Sequence, residues 1–383
     1  MNKKIKIIIL VFIIFINSVF ITGCWNYREI EQMAIVSGLA IDKKGDKYEI
    51  TVEVINPESG QGLKMNPNMY TAEGNTIFDA VRNMITTVGK KLYWSHAKVI
   101  VVSENVAKEG VLSVLDFITR DGETRSNIWL LVSKEKTAKE VLRGKSEVDE
   151  SLAFHIEDML NIEQSISKYH GVELWNFIND LSNEGIAPTL PIVRKFKTYE
   201  EIVPKVFGTA VFKKDKMVGS LTGQETKKML MIKDQLKGGL IVVRNIGEEG
   251  INVSLEVLKS KTKVKSEVID HDIVMNIQVK MDVEIGEIAG DEDFISKKGR
   301  EKLKKEAEGF IKKDIEYVIK KVQREYQSDI FGFGSIIQRE MPDLWKKIKQ
   351  DWTEIFSNLE TKVSVEVNIK GSALTSKPIK IGD

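Results

Sequence analysis

The chain has 383 residues, with 57 Lys and Arg against 56 Asp and Glu. That balance argues against a nucleic-acid binder, and a single cysteine, Cys24, excludes internal disulfides and thiolate metal sites. The length suggests two or three domains.

The first segment is a leader. Lys3, Lys4 and Lys6 precede an almost wholly apolar stretch from Ile7 to Phe20, followed by Ile21-Thr22-Gly23-Cys24. A basic start, an apolar stretch and small residues before the cut describe an export signal. A cysteine directly after Thr-Gly marks a bacterial lipoprotein. Cleavage is expected between Gly23 and Cys24, with Cys24 becoming an N-acylated S-diacylglycerol cysteine. An uncleaved membrane helix is the first alternative. Ile7 to Thr22 would span only about 24 Å of a hydrocarbon core about 30 Å thick, and Asn17 and Ser18 interrupt it. A plain secretory signal is the second, but it needs no cysteine, and a stray thiol is a liability in an oxidising compartment. Loss of the three leader lysines leaves 54 basic side chains (57 less 3) against 56 acidic ones.

Residues 24–200 read as an N-terminal α/β domain. Cys24 to Gln32 is a polar lead. Met33 to Asp42 and Lys47 to Ile55 form a hairpin turning at Lys44-Gly45-Asp46. The second strand alternates, with Tyr48, Ile50, Val52 and Val54 on one face and Lys47, Glu49, Thr51 and Glu53 on a solvated one. Asn56 to Pro67 is loop, and Asn75 is expected to cap a helix reaching Val88. Lys98 to Ser103 is apolar throughout its middle, the mark of a central strand buried on both faces. Helical stretches follow at Glu104 to Gly110 and Val111 to Thr119, a strand at Asn127 to Ser133, and helices at Thr137 to Leu142, Ser151 to Leu160 and Val172 to Ser182. A strand flanked by Pro188 and Pro191 ends near Lys197, and Thr198 to Pro204 is the expected domain boundary. The β-α-β alternation implies a mixed α/β domain.

Residues 205–371 read as a C-terminal α+β domain, and 372–383 as a tail. Lys205 to Lys213 and Met217 to Leu221 are strands, and Thr222 with Glu225 has capping-box spacing. Strand patterns fill Leu240 to Ile288. One long helix is expected from Ser296 to Tyr326, with Leu303, Ala307, Ile311, Ile315, Val318, Val322 and Tyr326 as its apolar stripe. A further helical region covers Met341 to Phe356, and a strand closes the domain at Lys362 to Lys370.

Catalytic and metal-binding patterns are missing. His96, His155, His170 and His271 are scattered, and no zincin, nucleophile-elbow or phosphate-loop pattern occurs. His155 with Asp158 could share a metal, although such a pair is more often a surface set. Asp291-Glu292-Asp293 could attract a cation, but reads better as a solvated loop. The long helix holds eleven Lys and Arg against six Asp and Glu. Anionic headgroups are one use for that charge; a solvated face laced with i,i+4 pairs is the favoured one. Trp25 and Tyr27, beside the lipid, suit the headgroup level, or packing against the first domain. In Asp329-Ile330-Phe331-Gly332-Phe333-Gly334 the glycines release the helix, and Phe331 and Phe333 either plug the core or contact a partner.

Together these segments resemble the C-subunit lipoproteins of GerA-type spore germinant receptors, the Ger(x)C family. The resemblance lies in G-C-W-N-Y-R-E-I-E (Gly23 to Glu31), A-I-V-S-G-L-A-I-D (Ala34 to Asp42), S-H-A-K-V-I-V-V-S-E (Ser95 to Glu104) and L-D-F-I-T-R-D (Leu115 to Asp121). It continues through G-T-A-V-F-K-K-D-K-M-V-G (Gly208 to Gly219), D-I-F-G-F-G (Asp329 to Gly334), Trp345 and Trp352. Asn26 stands where many relatives place an acid. The resemblance implies a mixed α/β to α+β, multi-domain fold particular to the family, with mixed sheets packed with helices. It implies three domains, so 205–371 is expected to split near 238–250. It implies a non-enzymatic subunit without a cofactor, held by its lipid on the outer face of the spore inner membrane beside A and B subunits. It leaves open whether this subunit binds the nutrient, and a lipid-anchored solute-binding protein is the alternative function.

Overall fold

The computed structural model describes residues 2–20, 32–57, 65–143, 151–199, 202–247 and 250–372. The leader forms helix α1 (Lys3–Phe20), and among the described residues no helix is long and apolar enough to cross a membrane.

The expected hairpin is β1 (Met33–Lys44) and β2 (Lys47–Pro57), paired antiparallel from Ile35↔Ile55 to Lys44↔Lys47. Gly45, at φ +62°, takes the left-handed turn position that a Cβ would disfavour. The face of β2 expected to be solvated is covered: Thr51 and Glu53 are as buried as Ile50 and Val52. Next comes β3 (Met65–Gly74), which pairs with β2 at the sheet edge and takes in residues 65–67, read above as loop. An edge position accommodates Pro67, which has no N–H to give. Helix α2 (Ile77–Val88) is capped by Thr76 rather than Asn75, because the Thr76 hydroxyl accepts from Asp79 N while the Asn75 N–H bonds to the Asp79 carboxylate.

Then come β4 (Lys91–Tyr93), β5 (Val99–Ser103), α3 (Glu104–Glu109), α4 (Leu112–Arg120) and β6 (Trp129–Ser133). The helix expected from Thr137 to Leu142 is a 3-10 turn at Ala138–Glu140. Helices α5 (Leu152–Asn161), α6 (Glu163–Ile166) and α7 (Leu174–Ser182) lead to β7 (Thr189–Lys197), β8 (Ile202–Lys213) and β9 (Lys216–Leu221). The nine strands form one mixed sheet, β3-β2-β1-β5-β6-β7-β8-β9, with β4 beside the start of β1. Strands β1, β5, β6 and β7 run parallel; β2 and β8 run against their neighbours. Helices cover both faces. Ile100 and Val102 of β5 join the core under α2, α4 and α7, and Val99 and Val101 join the core under α5, as a continuous apolar run requires.

The first sheet continues past the expected boundary. Lys197 of β7 pairs with Ile202 of β8, and β8 and β9 continue the first sheet.

Helix α8 (Gly223–Ile232), with the expected Thr222–Glu225 capping box, leads to a second sheet, β10-β11-β12-β13. Its strands are β10 (Leu240–Ile246), β11 (Ile251–Ile269), β12 (Asp272–Ala289) and β13 (Glu360–Gly371), the last parallel to β12. It starts at Leu240, within 238–250. Helix α9 (Lys297–Lys321) buries the expected stripe, and its last turn, Val322–Tyr326, widens to π-helical geometry. Helices α10 (Phe333–Glu340), α11 (Pro342–Ile348) and α12 (Trp352–Asn358) complete the layer on this sheet. Val211 and Leu221 of the first sheet share a core with α8 and the second sheet, so the two sheets are packed together.

Candidate functional site

Gly23, Cys24, Trp25 and Tyr27 lie outside the described residues. The described chain resumes at Gln32 and enters β1 at Met33.

The Asp329–Gly334 segment is a clasp. Asp329 Oδ1 accepts from Phe331 N (3.2 Å) and Gly332 N (2.9 Å), and Oδ2 accepts from Gly334 N (2.8 Å) and Trp352 Nε1 (3.3 Å). Gly332, at φ +77°, bends the backbone so that these N–H groups converge. The carboxylate thus sits at the positive end of α10. Burial pushes its pKa up to about 6, against the pull of the backbone N–H bonds and of Trp352.

Phe331 and Phe333 are both buried, with ring centroids 5.2 Å apart and Phe356 within 6.4 Å of each. This is core packing. Neither ring is offered to a partner, which corrects the contact role considered for them. Trp345 and Trp352 are buried edge to face at 5.3 Å in the same layer.

The clasp holds the first sheet's α7–β7 connection. Ala187 N donates to Asp329 O (2.8 Å), and Ser335 N donates to Gly185 O (2.9 Å). Backbones touch here: a Cβ on Gly334 would stand 2.8 Å from Gly185 Cα. Tyr326 OH donates to Ser220 O (2.8 Å), and Ser328 Oγ to Phe212 O (2.5 Å), which ties in β8 and β9. Lys233, at the end of α8, is pushed down by burial and held up by Asp180 of α7 and by Asp329. Burial raises Asp180, with Lys233 opposing.

Two further acids do structural work that the sequence pattern hid. Glu53 accepts from Ser37 Oγ (2.5 Å), Ser151 Oγ, Leu152 N (3.1 Å) and Ala153 N (3.3 Å), so it caps α5. Asp42 accepts from Ala138 N (2.6 Å) and Lys139 N (3.1 Å); burial raises its pKa while these bonds oppose the rise. Each bond reaches across about a hundred positions, except the one from Ser37. The only sequence signal for Glu53 is its place on the face of an alternating strand that reads as solvent-facing, and for Asp42 its place at the end of an apolar strand.

The four histidines stay apart. His170 Nδ1 contacts Glu163 (3.1 Å), His96 lies by Tyr93, and His271 occupies the turn between β11 and β12 at φ +80°. Among the described residues no three His, Cys, Asp or Glu side chains are placed to hold a metal, and His155 and Asp158 gain no third partner of that kind. Asp293 accepts from Ile295 N and Ser296 N ahead of α9, and Glu292 pairs with Lys302. The basic helix is laced with ion pairs, Lys228–Asp314 (2.9 Å) and Lys321–Glu225 (2.8 Å) among them. An open groove of about 1030 Å³ lies between α2 and α4, lined by Ile77, Phe78, Arg82, Leu112, Phe117 and Arg120 among others.

Residues 26–195 match the family model described as spore germination protein N-terminal domain, and residues 207–373 match that described as spore germination B3/GerAC like, C-terminal. The chain is 24% identical to spore germination protein KC of Bacillus subtilis (strain 168), over 97% of each chain. It is 26% identical to spore germination protein B3 of the same organism, over 93% of this chain and 96% of that one. The crystal structure of the GerBC protein shares its fold, with a TM-score of 0.58 and 24% identity over 89% of this chain and 100% of that one.

Proposed function

The chain belongs to the GerAC family of spore germination proteins, the C subunits of germinant receptors, and from that premise we propose that it is a lipid-anchored, non-enzymatic subunit of a nutrient receptor. It acts on the outer face of the spore inner membrane, beside A and B subunits, and is needed for nutrient-triggered germination. The observation that carries the anchoring is the Thr22-Gly23-Cys24 junction behind a basic, apolar leader.

Two or more acyl chains on one residue anchor stably, because each buried methylene contributes about 0.8 kcal/mol and one chain is marginal. Anchoring also replaces search through bulk solvent with a raised effective concentration beside the partners. Weak contacts then suffice for assembly. The packing of the two sheets fits a rigid scaffold better than the alternative solute-binding protein, which closes two similar lobes about a hinge. Here the sheets have nine and four strands, and Val211 and Leu221 of the first pack into the core of the second.

Replacing Cys24 with Ala should move the protein from the membrane to the soluble fraction and weaken the germination response to nutrients. Full membrane retention together with a normal response would remove this function. Calorimetry of the full chain in detergent with candidate nutrients separates the alternative, which requires tight binding.

A further inference from the structure

The polarity of the first sheet gives it one edge near the lipid and one far from it. Met33 begins β1 and is level with Lys91 of β4. Only nine positions separate it from Cys24, about 30 Å of fully extended chain. Trp129, at the start of β6, is level with Val99 and, through it, with Gly38. The loop just before β6 therefore lies at the edge where β1 begins. Trp175 N donates to Ser126 O in that loop (3.1 Å), which places Trp175 there too.

Trp175 is 51% exposed, an indole left in water on a chain whose Trp94, Trp345 and Trp352 are buried. Lys90 and Arg125, exposed at the same edge, have no acid partner among the described residues. The neighbouring acids are engaged: Glu123 with Lys91, Glu173 with the Trp175 indole N–H, and Asp121 with the Glu123 N–H. An amphipathic ring beside free cations is the chemistry of the headgroup region. The opposite edge differs. Tyr199, fully exposed two residues past the end of β7, lies roughly 50 Å away, counted along the strands at about 3.3 Å per residue.

We propose that the edge of the nine-stranded sheet where β1 begins rests on the bilayer, with Trp175 seated at the headgroup–acyl boundary and Lys90 and Arg125 on anionic headgroups. This orientation rests on the anchoring at Cys24. It directs Tyr199 away from the membrane.

The test uses the full lipidated protein in vesicles of phosphatidylethanolamine and phosphatidylglycerol. The Cys24 thiol is consumed by the lipid, so Ser126→Cys and Tyr199→Cys each supply one thiol for an environment-sensitive fluorophore. Flotation is read first, then quenching by a lipid with a nitroxide at headgroup depth. The expected result is floating protein whose label at 126 blue-shifts and loses most of its emission, while the label at 199 keeps it. Adding Trp175→Ala should restore much of the emission at 126. Protein that fails to float overturns the anchoring and the orientation with it. Floating protein that is bright at 126, quenched at 199, or unaffected by Trp175→Ala overturns the orientation alone.

Discussion

Gly185 and Gly334 meet backbone to backbone, one on the connection from α7 to β7 and the other in the first turn of α10. A Cβ on Gly185 would stand 2.7 Å from the Gly334 carbonyl carbon, and one on Gly334 would stand 2.8 Å both from Gly185 Cα and from Trp352 Nε1. The contact closes the seam between the two sheets at the point where the Asp329 carboxylate gathers its N–H donors.

Gly334→Ala should therefore cost about 1–3 kcal/mol through overpacking, since backbone atoms cannot step aside as a flexible side chain can. Urea unfolding should show a lower midpoint with an unchanged slope. A midpoint equal to that of the parent would mean that the two backbones do not meet at this seam.

Phe333→Ala removes a ring with no exposed surface from the Phe331–Phe356 cluster. The expected loss is about 3–5 kcal/mol, read as a large fall in thermal midpoint of the subunit by itself. A variant that is stable alone but fails to join a receptor would instead favour a partner contact for this ring.

Asp329→Asn turns an amide NH2 toward donors whichever way it is placed, because both carboxylate oxygens accept N–H bonds. It also strips Lys233 of one counter-charge. Together these should cost about 2–4 kcal/mol. The pH dependence has a definite sign. With its pKa raised from 3.8 to about 6, the folded protein holds this proton more tightly than the unfolded chain does. That contribution is complete below about pH 4 and is lost as pH rises through about 6. The gap between parent and variant should narrow from about pH 4.5 to 7.5 in urea titrations; a widening gap would contradict the buried carboxyl.

Lys227 behaves in the opposite sense. Burial first, then Lys228 and Lys168, push its ammonium from 10.5 down to about 8, and Nζ donates to Leu240 O (2.5 Å). The folded protein releases this proton more readily than the unfolded chain. Its contribution to stability therefore increases from about pH 8 to 10.5. Lys227→Met should flatten that increase while leaving stability at pH 7 equal or higher, because a buried cation gives way to an apolar chain of similar length. A loss above about 1 kcal/mol at pH 7 would show that the bond to Leu240 outweighs the cost of burial.

Elements whose pattern is local were legible in the order of residues alone. The apolar middle of Lys98–Ser103 required a strand covered on both faces, the stripe from Leu303 to Val322 required an amphipathic helix, and Thr222 with Glu225 required a capped start; all three stand in the structure. Each depends on residues a few positions apart, where side-chain periodicity and capping geometry act directly. The Phe331–Gly334 segment was legible as a bend, but only its surroundings settle that both rings are inside. Only the folded chain shows that β7 and β8 are neighbours in one sheet, and that Glu53 and Asp42 cap turns far along the chain. It also decided that Gly185 requires another glycine opposite. The carboxylate caps and the glycine pair bring together atoms about a hundred or more positions apart, and no local pattern records which distant backbone will arrive to use a buried carboxylate or an absent Cβ.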